Sequence, residues 1–131
     1  MNTPKNIYLN KVHIKLDFSL NCASENCIYV ALCKNCRAFM SFYFGQTVNV
    51  SRIRFNNHRD CFKYDHKCKY KKSAMSLHTY EEHLDQFEFK LANFDVGIIK
   101  SVKPTSLNRA EDFFVYSTKA DKISLNRYKV I

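Results

Sequence analysis

Residues 39–60 read FMSFYFGQTVNVSRIRFNNHRD, and the fold turns on how this stretch divides. The aromatic run FMSFYF (39–44) is a strand signal. Gly45, one of only two glycines in the chain, closes it. A residue without a side chain at that point suits an unusual dihedral or a close approach to phosphate. Beyond it the pattern becomes helical. Asn49 suits an N-cap, and a helix is expected from Val50 to about Asp60. Val50, Arg54 and His58 are spaced by four and share one face, with Ile53 and Asn57 beside them. Val50, Ile53 and Phe55 supply anchoring.

Working outward, CIYVAL (27–32) is a second strand signal, and CKNCRA (33–38) between the two reads as a turn. Together they predict a β-hairpin carrying Tyr29 on one strand and Tyr43 on the other. Upstream, Ile7, Leu9, Val12, Ile14 and Leu16 alternate loosely, enough for a strand within 7–18. Downstream, KYDHKCKYKK (63–72) carries five lysines and reads as a solvated loop. SAMSLHTYEEHL (73–84) suggests a short helix, and Phe87, Phe89 and Leu91 alternate. FDVGIIKSV (94–102) resembles a strand. Pro104 breaks the chain before a helix expected over 105–119, capped by Thr105, Ser106 or Asn108. The tail ISLNRYKVI reads as a last strand or an extended arm. The expected class is α/β: a small mixed domain with a central antiparallel sheet flanked by helices, residues 22–131, behind an N-terminal extension of 1–21.

A chain of 131 residues with 46% hydrophobic content is long enough for one domain with a real core. Its 21 Lys and Arg against 12 Asp and Glu give a net charge of +9. That balance favours an anionic partner, and DNA is the partner expected. The 19 Tyr and Phe residues provide rings for core or for base stacking. The N-terminal twenty residues lack the continuous apolar core of a signal peptide, and no stretch is apolar enough to span a membrane. An intracellular, reducing compartment, nucleus or cytoplasm, is therefore expected. There the six cysteines point to thiols and metal before disulfides.

The chemistry gathers on the first helix. The Arg54 guanidinium is a fixed fork that matches phosphate oxygens. One turn on, His58 exchanges a proton near neutral pH. Arg52, Arg59, Lys63 and Lys67 suit flanking phosphates. Tyr29 and Tyr43 would bring hydroxyls to the same place if their strands pair. Glu111, in RAEDFFVY, lies one turn before Phe114 and Val115, which sets it on the inward side. An inward carboxylate needs a partner. A Mg²⁺ (or Mn²⁺) ion and an arginine are the two choices, with Asp112 as the competing acid.

CIY (27–29), YFG (43–45) and VSRIRFNNHR (50–59) together resemble a GIY-YIG nuclease domain, closest in style to the endonuclease domain of Penelope-like retroelements. The resemblance covers about residues 22–128. It implies Tyr29 and Tyr43 as the motif tyrosines, Arg54 as the catalytic arginine, His58 at the position held by His or Tyr, and Glu111 as the carboxylate for a catalytic ion. The implied activity is hydrolysis of one DNA strand per active site. A homodimer would supply two sites for cutting both strands. A mobile element or a virus is the implied setting. Cys27 stands where the family has glycine, Phe44 replaces Ile or Val, and the hairpin loop is about three residues longer.

Cys33 and Cys36 form a CxxC, half of a zinc site. His78 and His83 in LHTYEEH fit as the other half, and the retroelement-type domains resemble this arrangement too. Cys22 and Cys27 offer a second pairing, and Cys61, Cys68 and His66 a third. Two functions follow from these residues. One is a Mg²⁺-dependent endonuclease with a structural Zn²⁺. The other is a zinc-stabilised nucleic-acid-binding module that does not cut.

Overall fold

The computed structural model describes residues 6–21, 23–34, 36, 41–61, 75, 78 and 94–127, with backbone alone at 52, 58–61 and 127. The chain is a small mixed α/β domain. Among the described residues its main sheet has three strands, β3 (Cys27–Cys33), β4 (Phe42–Thr47) and β5 (Phe94–Ser101), in the order β4-β3-β5. Both pairings are antiparallel, with Tyr29 opposite Gly45 on one side and Ile98 on the other.

Every residue of β3 is buried. A central strand covered on both faces reads as a continuous apolar run, as CIYVALC does. The period of two still sorts its side chains. Ile28, Val30 and Leu32 join Phe42, Phe44 and Ile99 in one cluster. Cys27, Tyr29, Ala31 and Cys33 join Tyr43, Phe94, Ile98 and Leu125 in the other.

The first cluster is closed by an N-terminal hairpin, β1 (Asn6–Leu9) and β2 (Val12–Lys15), where a single strand was expected. The sequence carries the reason: apolar residues fall on odd numbers at Ile7 and Leu9, then on even numbers at Val12, Ile14 and Leu16. That change of parity marks a turn. Asn10 (φ 49°) and Lys11 (φ 68°) make it as a two-residue loop, the kind whose twist matches paired strands. The hairpin is pinned by Asn10 Nδ2 donating to the Thr118 carbonyl and by Asp17 N–H donating to the Ile98 carbonyl.

Helix α1 spans Ser51–Cys61, one residue later than expected at each end. Its first residue is fully buried, and both its N–H and its Oγ bond the Ser24 carbonyl, at 2.8 and 3.0 Å. A short 3₁₀ turn at Pro104–Ser106 leads into α2 (Leu107–Thr118), which Lys119 ends in a left-handed conformation (φ 60°) before α3 (Ala120–Ile123). The capping expectation at Ser106 holds by position, without a side-chain cap bond.

The tail was expected to be a strand or an arm. Its described part ends α3 and makes a 3₁₀ turn at Leu125–Arg127, lying along the edge of β4, and positions 128–131 lie outside the described residues. Ser124 Oγ accepts from Phe42 N–H (2.7 Å) and donates to Phe42 O (2.8 Å). Asn126 does the same for Phe44, at 2.8 and 2.9 Å. Two polar side chains thus satisfy the free edge of β4, which would otherwise present unpaired backbone groups.

Gly45 does not end its strand. β4 runs on to Thr47, and Gly45 has no positive φ. The close approach is to a side chain: a Cβ at Gly45 would fall on Cζ and Oη of Tyr29 across the ladder. Glycine is needed here to let the Tyr29 ring lie over β4.

Candidate metal centre and arginine groove

Two groups of functional side chains occupy the same face of the sheet. At one end of β3, Cys33, Cys36 and His78 place their ligand atoms within 4.8 Å of one another. Cys36 Sγ is 3.2 Å from His78 Nε2 and 3.3 Å from Ser41 Oγ. Cys33 is held by β3, His78 is buried, and its ring meets Phe94 edge-on at 6.3 Å. A tetrahedral Zn²⁺ with bonds of about 2.0 to 2.3 Å would set its ligands roughly 3.5–3.8 Å apart. The three residues fit that spacing with small adjustments. Two thiols and an imidazole are soft donors, suited to zinc and unsuited to Mg²⁺, which wants oxygen. The sequence placed three of its four proposed zinc ligands here. His83 lies outside the described residues, as do Cys22, His66 and Cys68. Cys27 is buried on the same face but outside the cluster, and burial raises its thiol above the ordinary range. Cys27, Cys33 and Cys36 are thiols, with no disulfide among them.

The second group surrounds Arg54. Pairing of β3 with β4 brings Tyr29 and Tyr43 together, with ring centroids 6.4 Å apart. Phe55 of α1 packs edge-on against Tyr29 at 5.1 Å, so it anchors the helix, whereas Ile53 is 45% exposed. That docking aims Arg54 between the tyrosines, and its guanidinium donates to both hydroxyls. Burial raises both phenols, Tyr29 well above its ordinary range, and the Arg54 charge only partly opposes this. They therefore remain protonated at neutral pH. Burial pulls Arg54 downward, but the two tyrosines more than offset it, and the arginine stays charged. Its Nε is buried and has no hydrogen-bond partner among the described residues. Arg54 borders a groove of about 300 Å³ that Gln46, Thr47, Val48, Asn49, Ile53 and Asn57 complete.

Glu111 comes to the same neighbourhood from α2, half-buried as its spacing to Phe114 and Val115 implied, while Asp112 is exposed. Its hydrogen-bond partner among the described residues is a side chain not weighed in the sequence. Gln46 Nε2 donates to Glu111 Oε2 at 2.7 Å and to Asn108 Oδ1 at 2.6 Å. Burial raises the Glu111 carboxyl, and the Gln46 bond only partly opposes it. Gln46 stands within the opening stretch 39–60 and was given no role there. Its signal was available in the strand period, which places it opposite Ile28 on the α2 side of β4. His58, Arg52 and Arg59 lie in α1, without described side chains. Lys63 and Lys67 lie outside the described residues.

These arrangements correct the catalytic expectation. Among the described residues, the metal-type cluster is Cys33, Cys36 and His78, a structural donor set, and Glu111 belongs to no such group. The ligands gathered by the fold are those of a structural zinc site and not of a Mg²⁺- or Mn²⁺-dependent hydrolytic centre. The assignment as a hydrolase and endonuclease therefore gives way, and with it the mobile-element and viral setting. Among the described residues no helix is long and apolar enough to cross a membrane. No family model matches the chain, and neither a curated protein nor a solved structure matches it.

Proposed function

We propose that this chain is a zinc-stabilised nucleic-acid-binding domain, akin to GIY-YIG domains, that grips backbone phosphate without cleaving it. The observation that carries the reading is Arg54. Its side chain borders a small groove in a chain of net charge +9, and its Nε is buried with no hydrogen-bond partner among the described residues. A phosphate oxygen is the acceptor a guanidinium fits best. Tyr29 and Tyr43 fix the fork in place. Arg52, Arg59, Lys63 and Lys67 supply flanking charge, and DNA is the expected ligand. Zn²⁺ on Cys33, Cys36 and His78, with His83 as fourth ligand, would tie the connection after β3 and the segment around residue 78 to the sheet.

Fluorescence anisotropy with labelled duplex DNA tests this. Binding should weaken steeply with salt, weaken further in Arg54→Ala, and leave plasmid DNA intact in Mg²⁺. Binding that Arg54→Ala leaves unchanged at every salt concentration would overturn the assignment.

A further inference from the structure

The outer face of the N-terminal hairpin takes no part in either site, yet it is not built as inert surface. Its inward residues, Ile7, Leu9, Ile14 and Leu16, are spent on the core. Its outward residues are Asn6, Tyr8, His13 and Lys15. Tyr8 and His13 face each other across the ladder and stack, with ring centroids 5.0 Å apart and planes at 30°. His13 Nε2 is 3.1 Å from Asn6 Oδ1, which fixes the imidazole plane. Tyr8 nevertheless remains 71% exposed, so this ordered pair offers an open aromatic face.

Beside it runs a groove of about 700 Å³, bordered by His13, Lys15, Phe18, Lys100 and Phe114. That volume lies in the range of small-ligand pockets, roughly 300–1,000 Å³. Phe18 is 61% exposed at its mouth. Asp17 also lines it, but Ser19 N–H and Oγ both donate to its Oδ1. Cations outnumber acids here: Lys15 and Lys100 border the groove, and Asp17 is the one acid among its lining residues. Rings with open π-faces among lysines form the pattern that holds unpaired nucleic acid: bases stack and phosphates meet the cations. Duplex DNA keeps its bases stacked on one another and offers such a surface only its phosphates.

We propose that the Tyr8–His13 pair and the adjoining Phe18 groove form a stacking platform for single-stranded nucleic acid, separate from the Arg54 groove. The inference rests on the nucleic-acid reading above, and its test separates the two. Anisotropy is measured with a labelled oligothymidylate and with a duplex of equal length, for wild type, Tyr8→Ala, Tyr8→Phe and Phe18→Ala. Wild type binds both probes. Tyr8→Ala weakens oligothymidylate binding about tenfold, Phe18→Ala weakens it by several-fold, and duplex binding changes little. Tyr8→Phe, which keeps the ring, stays near wild type. Circular dichroism melts confirm the fold, since both substituted rings are exposed. If wild type binds duplex but not oligothymidylate, or if Tyr8→Ala binds both unchanged, the platform is overturned and the Arg54 reading stands. If wild type binds neither probe, both fail. A Tyr8-dependent self-association without oligonucleotide binding would assign the face to a second copy and also overturn the inference.

Discussion

Cys33 and Tyr29 point to the same face of one strand, and the four-residue interval puts them about 13 Å apart. The sites they belong to have opposite character. At the Cys33 end, soft donors converge on one another. At the Tyr29 end, two hydroxyls accept from a guanidinium that borders an open groove, and its Nε has no partner among the described residues. A convergent donor set completes a fold, whereas a donor held rigid and unsatisfied is ready for a ligand. The two ends of the face thus differ in chemistry, and each can be disturbed alone.

The largest effect should come from the metal end. Cys33→Ser, or chelation of the wild type, should remove bound zinc and lower the melting temperature sharply, because the binding energy of a structural zinc is folding energy, often above about 10 kcal/mol in small peptides. Metal analysis together with thermal denaturation reads this. Unchanged zinc content in Cys33→Ser would transfer the site to other ligands. His83→Ala is the finer probe: loss of zinc there would supply the fourth ligand.

Gly45→Ala should follow, at about 1–3 kcal/mol or more, because the added methyl meets the Tyr29 ring. The same substitution in a Tyr29→Leu background should cost clearly less, a coupling that denaturant titration of the four proteins would measure. Additive costs would mean that Gly45 answers to something other than the ring.

Arg54→Ala is the contrasting lesion. It removes the ligand-facing donor and should weaken duplex binding by about tenfold or more, since hydrogen bonds to charged groups are worth roughly 1.5–3 kcal/mol. Its melting temperature should fall only modestly, through the two tyrosine hydroxyls that lose a donor. A collapse in stability with unchanged affinity would reverse the division between the two ends.

What the sequence made legible follows the same division. Tyr29, Tyr43 and Arg54 were within reach because a hairpin and an amphipathic helix are local patterns, and the Cys33–Cys36 spacing is local as well. His78 came from chemistry, as a histidine awaiting a cysteine pair. The long-range partners were harder. Ser124 and Asn126 capping the β4 edge have no local signature, because they meet Phe42 and Phe44 across 82 residues. Gly45 was recognised as special for a wrong reason, since only the pairing register shows that a ring crosses it. The hairpin at 6–15 was legible in the parity of its apolar residues and was read as one strand.

Glu111 gives the smallest and most specific effect. Burial raises its carboxyl above 4.5, so the native state holds this proton more tightly than the unfolded chain does. Between 4.5 and the raised native value, the folded protein binds more protons than the unfolded one. Unfolding free energy must then fall as pH rises through that window, the reverse of a carboxylate stabilised by an ion pair. Glu111→Gln removes the titration and leaves an amide oxygen to accept from Gln46. It should flatten this part of the stability–pH curve and raise stability near neutrality by less than about 1 kcal/mol, because the half-buried carboxylate keeps part of its water. The comparison is made by denaturant titration of both proteins across the acidic range. A variant that is less stable than wild type at neutral pH, in metal-free buffer, would mean that the Glu111 charge is compensated in the fold by a cation, and the arginine end would then be satisfied and closed like the cysteine end.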